Sequence, residues 1–150
     1  MNEDALSIYT LASAGYCCTQ ILLKMALEEE GKENEDLIRA VHGLCGGVAY
    51  SRKTCGAMTG GICILGLYAG KGAKAERYKD NYMEMMKEYM EWFEQEFEST
   101  DCMDLIGVHV FADDNGNINY PVKCGDTLAK CYEKVQEILY RHEYDFGDRE

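Results

Sequence analysis

The stretch from Leu44 to Gly72, LCGGVAYSRKTCGAMTGGICILGLYAGKG, holds eight of the chain's 15 glycines inside an otherwise apolar run. Glycine within a helix costs roughly 1 kcal/mol relative to alanine, so a run that keeps this many must gain close packing or a site in return. Three cysteines, Cys45, Cys55 and Cys63, fall in the same stretch. The run therefore reads as organised around sulfur, and the question for the rest of the chain is which other cysteines reach it.

A chain of 150 residues is expected to form one domain over 1–150. That length buries about 68–70% of the surface its unfolded form exposes, so a core needs no staples. Eight cysteines fall below the roughly 8–10% that marks a disulfide scaffold. The start, MNEDALSI, is acidic and has no basic segment followed by an apolar one, so neither a signal nor a transit peptide is expected. A cytoplasmic, reducing setting follows as the expectation, and cysteine clusters there are more often metal-binding or redox-active than structural. The longest apolar run, Ile62 to Ala69, is far short of the about 20 residues that cross a bilayer. A net charge of −12 with no basic stripe argues against nucleic acid as a partner.

Apolar residues recur at helical spacing from Glu3 to about Glu30, with Ile8, Leu11, Gly15, Cys18, Leu22 and Met25 on one stripe. Cys18 should face the core, whereas Cys17 lies about 100° around the helix and should do a different job. Gly31 ends this helix, Asn34 caps the next, and the second helix is expected from about Glu35 to Val48. Thr54 is the expected cap of a third helix, which puts Cys55 in its first turn. There the unpaired amides and the positive end of the dipole favour a thiolate.

A long helix is expected from Ala73 to about Glu98, with Tyr78, Tyr82, Met85, Met86, Tyr89, Phe93 and Phe97 inward. The width left over, including Trp92, is the face a homodimer would use. Ser99 to Asp101 are capping residues just before Cys102, and an Asn-Gly turn flanked by alternating residues predicts a small β-hairpin near 108–120. Cys124 then precedes a final helix capped at Asp126 or Thr127, with Leu128, Cys131, Val135, Ile138 and Leu139 inward. The tail RHEYDFGDRE is expected to fray. The fold class is all-α, a single bundle of five or six helices.

Cys18 on the first core stripe is thus followed by Cys55, Cys102 and Cys124, each at or just before a helix start. With Cys18 in CTQILL, Cys55 in CGAMTG, LGLYAG behind it, Cys102 in CMDLIG and Cys124 before the last helix, the chain resembles the C_GCAxxG_C_C family, described as redox-active. The resemblance covers nearly the whole chain and implies a four-cysteine site at Cys18, Cys55, Cys102 and Cys124. Gly56 and Gly60 would provide clearance for it or for a bound group. Cys17, Cys45, Cys63 and Cys131 lie outside the four positions; Cys17 competes with Cys18 for the first, and Cys131 with Cys124 for the last.

Two chemistries suit such a set. In the first, Cys55 as thiolate attacks a disulfide of an unknown redox partner and a second cysteine resolves it. In the second, the same four cysteines hold an iron–sulfur cluster or zinc, although the paired spacing of zinc ribbons and ferredoxins is missing. A non-catalytic interaction module built on the Met/Tyr helix is a third reading. Cys45, Cys63 and Cys131, on or near apolar stripes, read as packing residues. His42, three residues before Cys45, reads as a solvated side chain more readily than a ligand. No GxGxxG, Walker or C-x-x-C motif is present.

Overall fold

Gly15 stops the first helix. The computed structural model describes residues 3–102, 111–112, 118–119 and 122–149, the side chains of 111–124 excepted. In it, helix α1 covers Glu3–Ser13 and α2 covers Cys18–Glu29. The single helix expected over this span is therefore broken. Gly15 takes φ +97°, its amide donates to Ala12, and the amide of Tyr16 reaches back to Leu11. This is the paired closure of a left-handed helix end, and it frees Cys17 to start α2 as its cap.

Gly31 closes α2 in the same manner, through Gly31 to Glu28 and Lys32 to Leu27. Asn34 then caps α3, Glu35–Ala40, accepting from the Leu37 amide at 3.0 Å. The expected continuation to Val48 does not form. One 3-10 turn follows at His42–Leu44, and from Gly46 to Tyr50 five successive residues have positive φ. Hydrogen bonds from Val48 to Leu44, Tyr50 to Cys45, Arg52 to Gly46 and Lys53 to Gly47 bind this stretch into a left-handed turn. Three of its residues, Val48, Ala49 and Tyr50, carry side chains, and each costs roughly 1–2 kcal/mol in that conformation.

The glycine-rich helix α4 spans Gly56–Ala69 and packs against α2, α5 (Tyr82–Phe97) and α6 (Val122–Arg141), while α1 lies on α6 and α2. A Cβ on Gly60 would meet Leu22 at 2.9 Å, and one on Gly61 would fall 2.2 Å from the ring of Tyr89. The glycine face is thus the seam into which α2 and α5 settle, closer than a side chain at those two positions would permit.

Helix α5 begins nine residues later than expected. Residues 73–81 form an irregular loop tied by the Lys71 ammonium, which donates to the carbonyls of Ala73, Lys74 and Glu76. Tyr78 is consequently exposed, while Met85, Met86, Tyr89 and Phe93 are buried as expected. The hairpin is a two-residue antiparallel ladder, β1 Phe111–Ala112 on β2 Ile118–Asn119. The short helix expected after Cys102 falls largely outside the described residues. Helix α6 starts at Val122, so Cys124 lies within it rather than before it. Its inner face is Leu128, Cys131, Val135, Ile138 and Leu139, all buried.

The tail docks instead of fraying. Phe146 stacks on Tyr68 at 5.8 Å, the Gly147 amide donates to the Tyr68 hydroxyl, and Arg149 pairs with Glu30. Among the described residues no helix is long and apolar enough to cross a membrane.

Candidate functional site

Cys55 is the N-cap residue of α4 itself, one position before the expected place. The segment ahead of it pairs with the segment ahead of Cys102: Thr54 faces Asp101 in an isolated antiparallel bridge. The Cys55 amide donates to Thr100 at 2.8 Å and the Cys102 amide to Lys53 at 2.6 Å. This pattern makes Thr54 and Asp101 a pair without mutual hydrogen bonds. Since side chains alternate along each strand, Cys55 and Cys102 share the face opposite to Thr54 and Asp101. Both are buried, 4% and 2% exposed.

Cys18 reaches the same place from α2. A Cβ built on Gly56 would lie 3.1 Å from the Cys18 Cβ, 2.9 Å from the Thr19 Oγ1 and 3.6 Å from the Leu44 carbonyl. The Thr19 hydroxyl donates to the Gly56 carbonyl at 3.2 Å. Gly56 is therefore the contact point of the start of α2, the end of the 3-10 turn and the start of α4. At Gly60 the clearance is taken by Leu22.

The sulfurs that the structure joins are Cys17 and Cys45, in a disulfide whose Cα atoms are 6.0 Å apart, within the usual span for such a bond. Each neighbours a residue that touches Gly56, namely Cys18 and Leu44. Cys17 is 3% and Cys45 0% exposed. Gln20 fixes the α2 end of the bridge: its Oε1 accepts from the Cys17 amide at 3.2 Å and its Nε2 donates to the Ile38 carbonyl at 3.2 Å. The expectation that Cys45 packs as a mid-helix residue rested on a second helix that does not continue. The available signal was the unequal placement of Cys17 and Cys18 around α2.

Cys131, expected to pack inward on the last helix and to compete with Cys124, is fully buried. Tyr89 donates to the Ala57 carbonyl at 2.7 Å and is hydrogen-bonded with Cys131. Burial pushes the Cys131 thiol well above its ordinary range; the Tyr89 hydrogen bond lowers it by less, and charge on Cys55 pushes it further up. Burial and the charges of Cys131 and Cys55 likewise raise the Tyr89 phenol. Burial, before any charge on a neighbouring sulfur, thus keeps both groups protonated. Cys63 sits about two turns along α4 from Gly56, half-buried, with its thiol raised by burial.

Cys18, Cys55 and Cys102 are buried thiols gathered around one end of α4. The side chain of Cys124, the fourth expected site residue, lies outside the described residues. Among the described residues no three His, Cys, Asp or Glu side chains are grouped to hold a metal ion, so the four-thiolate set expected for zinc or an iron–sulfur cluster is not assembled by these residues alone.

Comparison with curated proteins and with solved structures found no match. The family model described as "Putative redox-active protein (C_GCAxxG_C_C)" matches residues 16–138, a span that begins beside the disulfide and ends on the inner face of α6. The chain belongs to that family.

Proposed function

We propose that this protein carries out thiol–disulfide exchange, with Cys55 as the attacking sulfur. The observation that supports this most directly is the packing around Gly56, which brings a formed disulfide and the Cys18 and Cys55 thiols to one helix end. The Cys55 thiolate attacks one sulfur of a partner disulfide, and the partner's other sulfur leaves as a thiolate. A second thiol of the protein, Cys18 or Cys102, loses its proton and attacks the Cys55 sulfur of the mixed disulfide. The partner's remaining sulfur then departs. Two electrons and two protons pass to the partner, which becomes two thiols, and the protein gains one disulfide. Where Cys17 and Cys45 start as thiols, each attacks in turn and the bond passes to them as the first pair returns to thiols, giving the disulfide joined in this structure.

The test is purification without oxygen, followed by visible absorption, iron, zinc and sulfide analysis, and thiol titration against a graded redox buffer. A colourless, metal-free protein that reversibly loses thiols in pairs supports exchange, and the Cys55→Ser variant should then abolish reduction of a model disulfide. A brown protein with iron and labile sulfide would instead assign the cysteines to a cluster.

A further inference from the structure

Cys55 and Cys102 are buried in a structure that holds the Cys17–Cys45 disulfide. Exchange with a partner needs access to the attacking sulfur, so the protein must also visit a form in which Cys55 is uncovered. The segment between the disulfide and Cys55, residues 46–53, is placed to govern that opening.

Gly46 to Tyr50 and Arg52 all have positive φ. Val48, Ala49, Tyr50 and Arg52 carry side chains, which disfavour left-handed backbone, and strain of this kind persists only where the surroundings hold it. Burial does not hold Val48 and Tyr50, which are both exposed. Two anchors stand at the ends of the segment. Before Gly46, Cys45 is bonded to Cys17. After Arg52, the Lys53 carbonyl accepts from the Cys102 amide at 2.6 Å, beside the Thr54 and Asp101 bridge that sets Cys55 and Cys102 on one face. The partners in the disulfide are not equally fixed. Cys17 caps α2, and the Gln20 Oε1 accepts from its amide at 3.2 Å, whereas Cys45 ends a three-residue 3-10 turn and leads straight into the strained segment. Once the bond is broken, the Cys45 side is the one that moves.

We infer that the Cys17–Cys45 bond is a redox latch on this turn. Oxidised, it clamps the left-handed segment and keeps Cys55 and Cys102 covered. Reduced, it lets residues 46–53 open more often, and each opening breaks the Lys53 to Cys102 hydrogen bond and uncovers the two sulfurs. The inference rests on the exchange reading above and adds its regulation: protein that has taken up a disulfide at Cys17 and Cys45 is shut, and reduced protein is competent. Release takes a dithiol. One of its thiolates attacks the disulfide, the displaced cysteine leaves as a thiolate and takes up a proton, and the second thiol of the reductant attacks the mixed disulfide. Cys17 and Cys45 end as thiols and the dithiol as a disulfide, with two electrons and two protons passed to the protein.

The test follows alkylation of each cysteine by iodoacetamide at pH 8, read by peptide mass mapping. It compares the full-length protein with Cys17–Cys45 formed and the same protein reduced by dithiothreitol and desalted without oxygen. Labelling tracks the population of the open form. Reduction should speed alkylation of Cys55 and Cys102 by about tenfold or more and leave Cys131 unmodified, with faster hydrogen exchange at the Lys53 and Cys102 amides. Cys45→Ala, which lacks the bond, should match the reduced parent in either buffer. Val48→Asn/Tyr50→Asn puts residues that tolerate left-handed backbone into the turn, so it should stay closed after reduction and show a several-fold smaller ratio. A parent ratio near one overturns the latch, as does a ratio unchanged in the asparagine variant. Labelling of Cys131 in step with Cys55 also overturns it, since that marks general loosening. If the latch fails while Cys55→Ser still abolishes reduction of a model disulfide, exchange stands without it. A large parent ratio beside a fully active Cys55→Ser variant keeps the latch and overturns exchange.

Discussion

A methyl group on Gly56 would stand 3.1 Å from the Cβ of Cys18, across the junction where α2 meets the start of α4. Gly56→Ala must therefore push Cys18 and Thr19 away or lift the helix end, and overpacking of this kind costs about 1–3 kcal/mol. Urea unfolding should show that loss, together with slower thiol exchange at Cys55. Gly66, in the same helix, has nothing within 4 Å of its Cβ position. Gly66→Ala should stabilise the protein by roughly 0.5–1 kcal/mol, which separates the contact effect from helix propensity.

Val48 is a β-branched residue at φ +70° and 39% exposed. Val48→Gly removes about 1–2 kcal/mol of left-handed strain and adds about 0.5–1 kcal/mol of unfolded-chain entropy. A net gain between zero and about 1.5 kcal/mol is expected in unfolding of the reduced protein. Gly47→Ala should have the opposite sign, since its Cβ would lie 2.5 Å from the Lys53 amide nitrogen. Equal and small effects at the two positions would rule out the left-handed turn.

The Cys131 thiol is raised by burial, and so are the Tyr89, Tyr68 and Tyr132 phenols. Each of these groups stays protonated in the folded chain at a pH where the unfolded chain has released its proton. Their contribution is complete below the ordinary thiol pKa of about 8.5 and is lost as pH rises above it. Stability followed by urea midpoint should fall from about pH 9 upward, less steeply in Cys131→Ala than in the parent. Alkylation of the native protein at pH 8 should leave Cys131 unmodified.

Glu30 has a side chain only 1% exposed, paired with Arg149 at 3.0 Å and Lys32 at 3.1 Å. Burial pushes its carboxyl up, but hydrogen bonds from Arg149 and Lys32 outweigh it and hold the group below the ordinary range. The contribution is present above the unfolded carboxyl pKa of about 4.3 and lost as pH falls through the lower folded value. Arg149→Ala should cost about 1–2 kcal/mol at pH 7, less than the about 3–5 kcal/mol for breaking a buried pair outright, because Lys32 remains. The difference from the parent should shrink below pH 4.

The parts of the fold legible in the sequence are those whose signals fit within a few residues. Asn34 and Leu37 form a cap three residues apart, Gly31 closes a helix through its immediate neighbours, and the inner face of α6 repeats at helical spacing. The burial of Cys18 was legible from its place on an apolar stripe, and the positions of Cys55 and Cys102 from the capping residues just before them. The Cys17–Cys45 bond was not legible, because it spans 28 residues of sequence and depends on how the second helix ends.

By itself the sequence determined that a glycine-rich helix would let other helices pack closely against it. A run of small residues can be buried at low helical propensity only where another element comes close. Tertiary structure decided which sulfurs meet. Gly15 breaks the first helix and makes Cys17 a cap, the left-handed turn brings Cys45 back to it, and α6 delivers Cys131 to Tyr89 and the neighbourhood of Cys55. Each of those meetings depends on backbone reversals and helix crossings, whose energies come from contacts between distant parts of the chain.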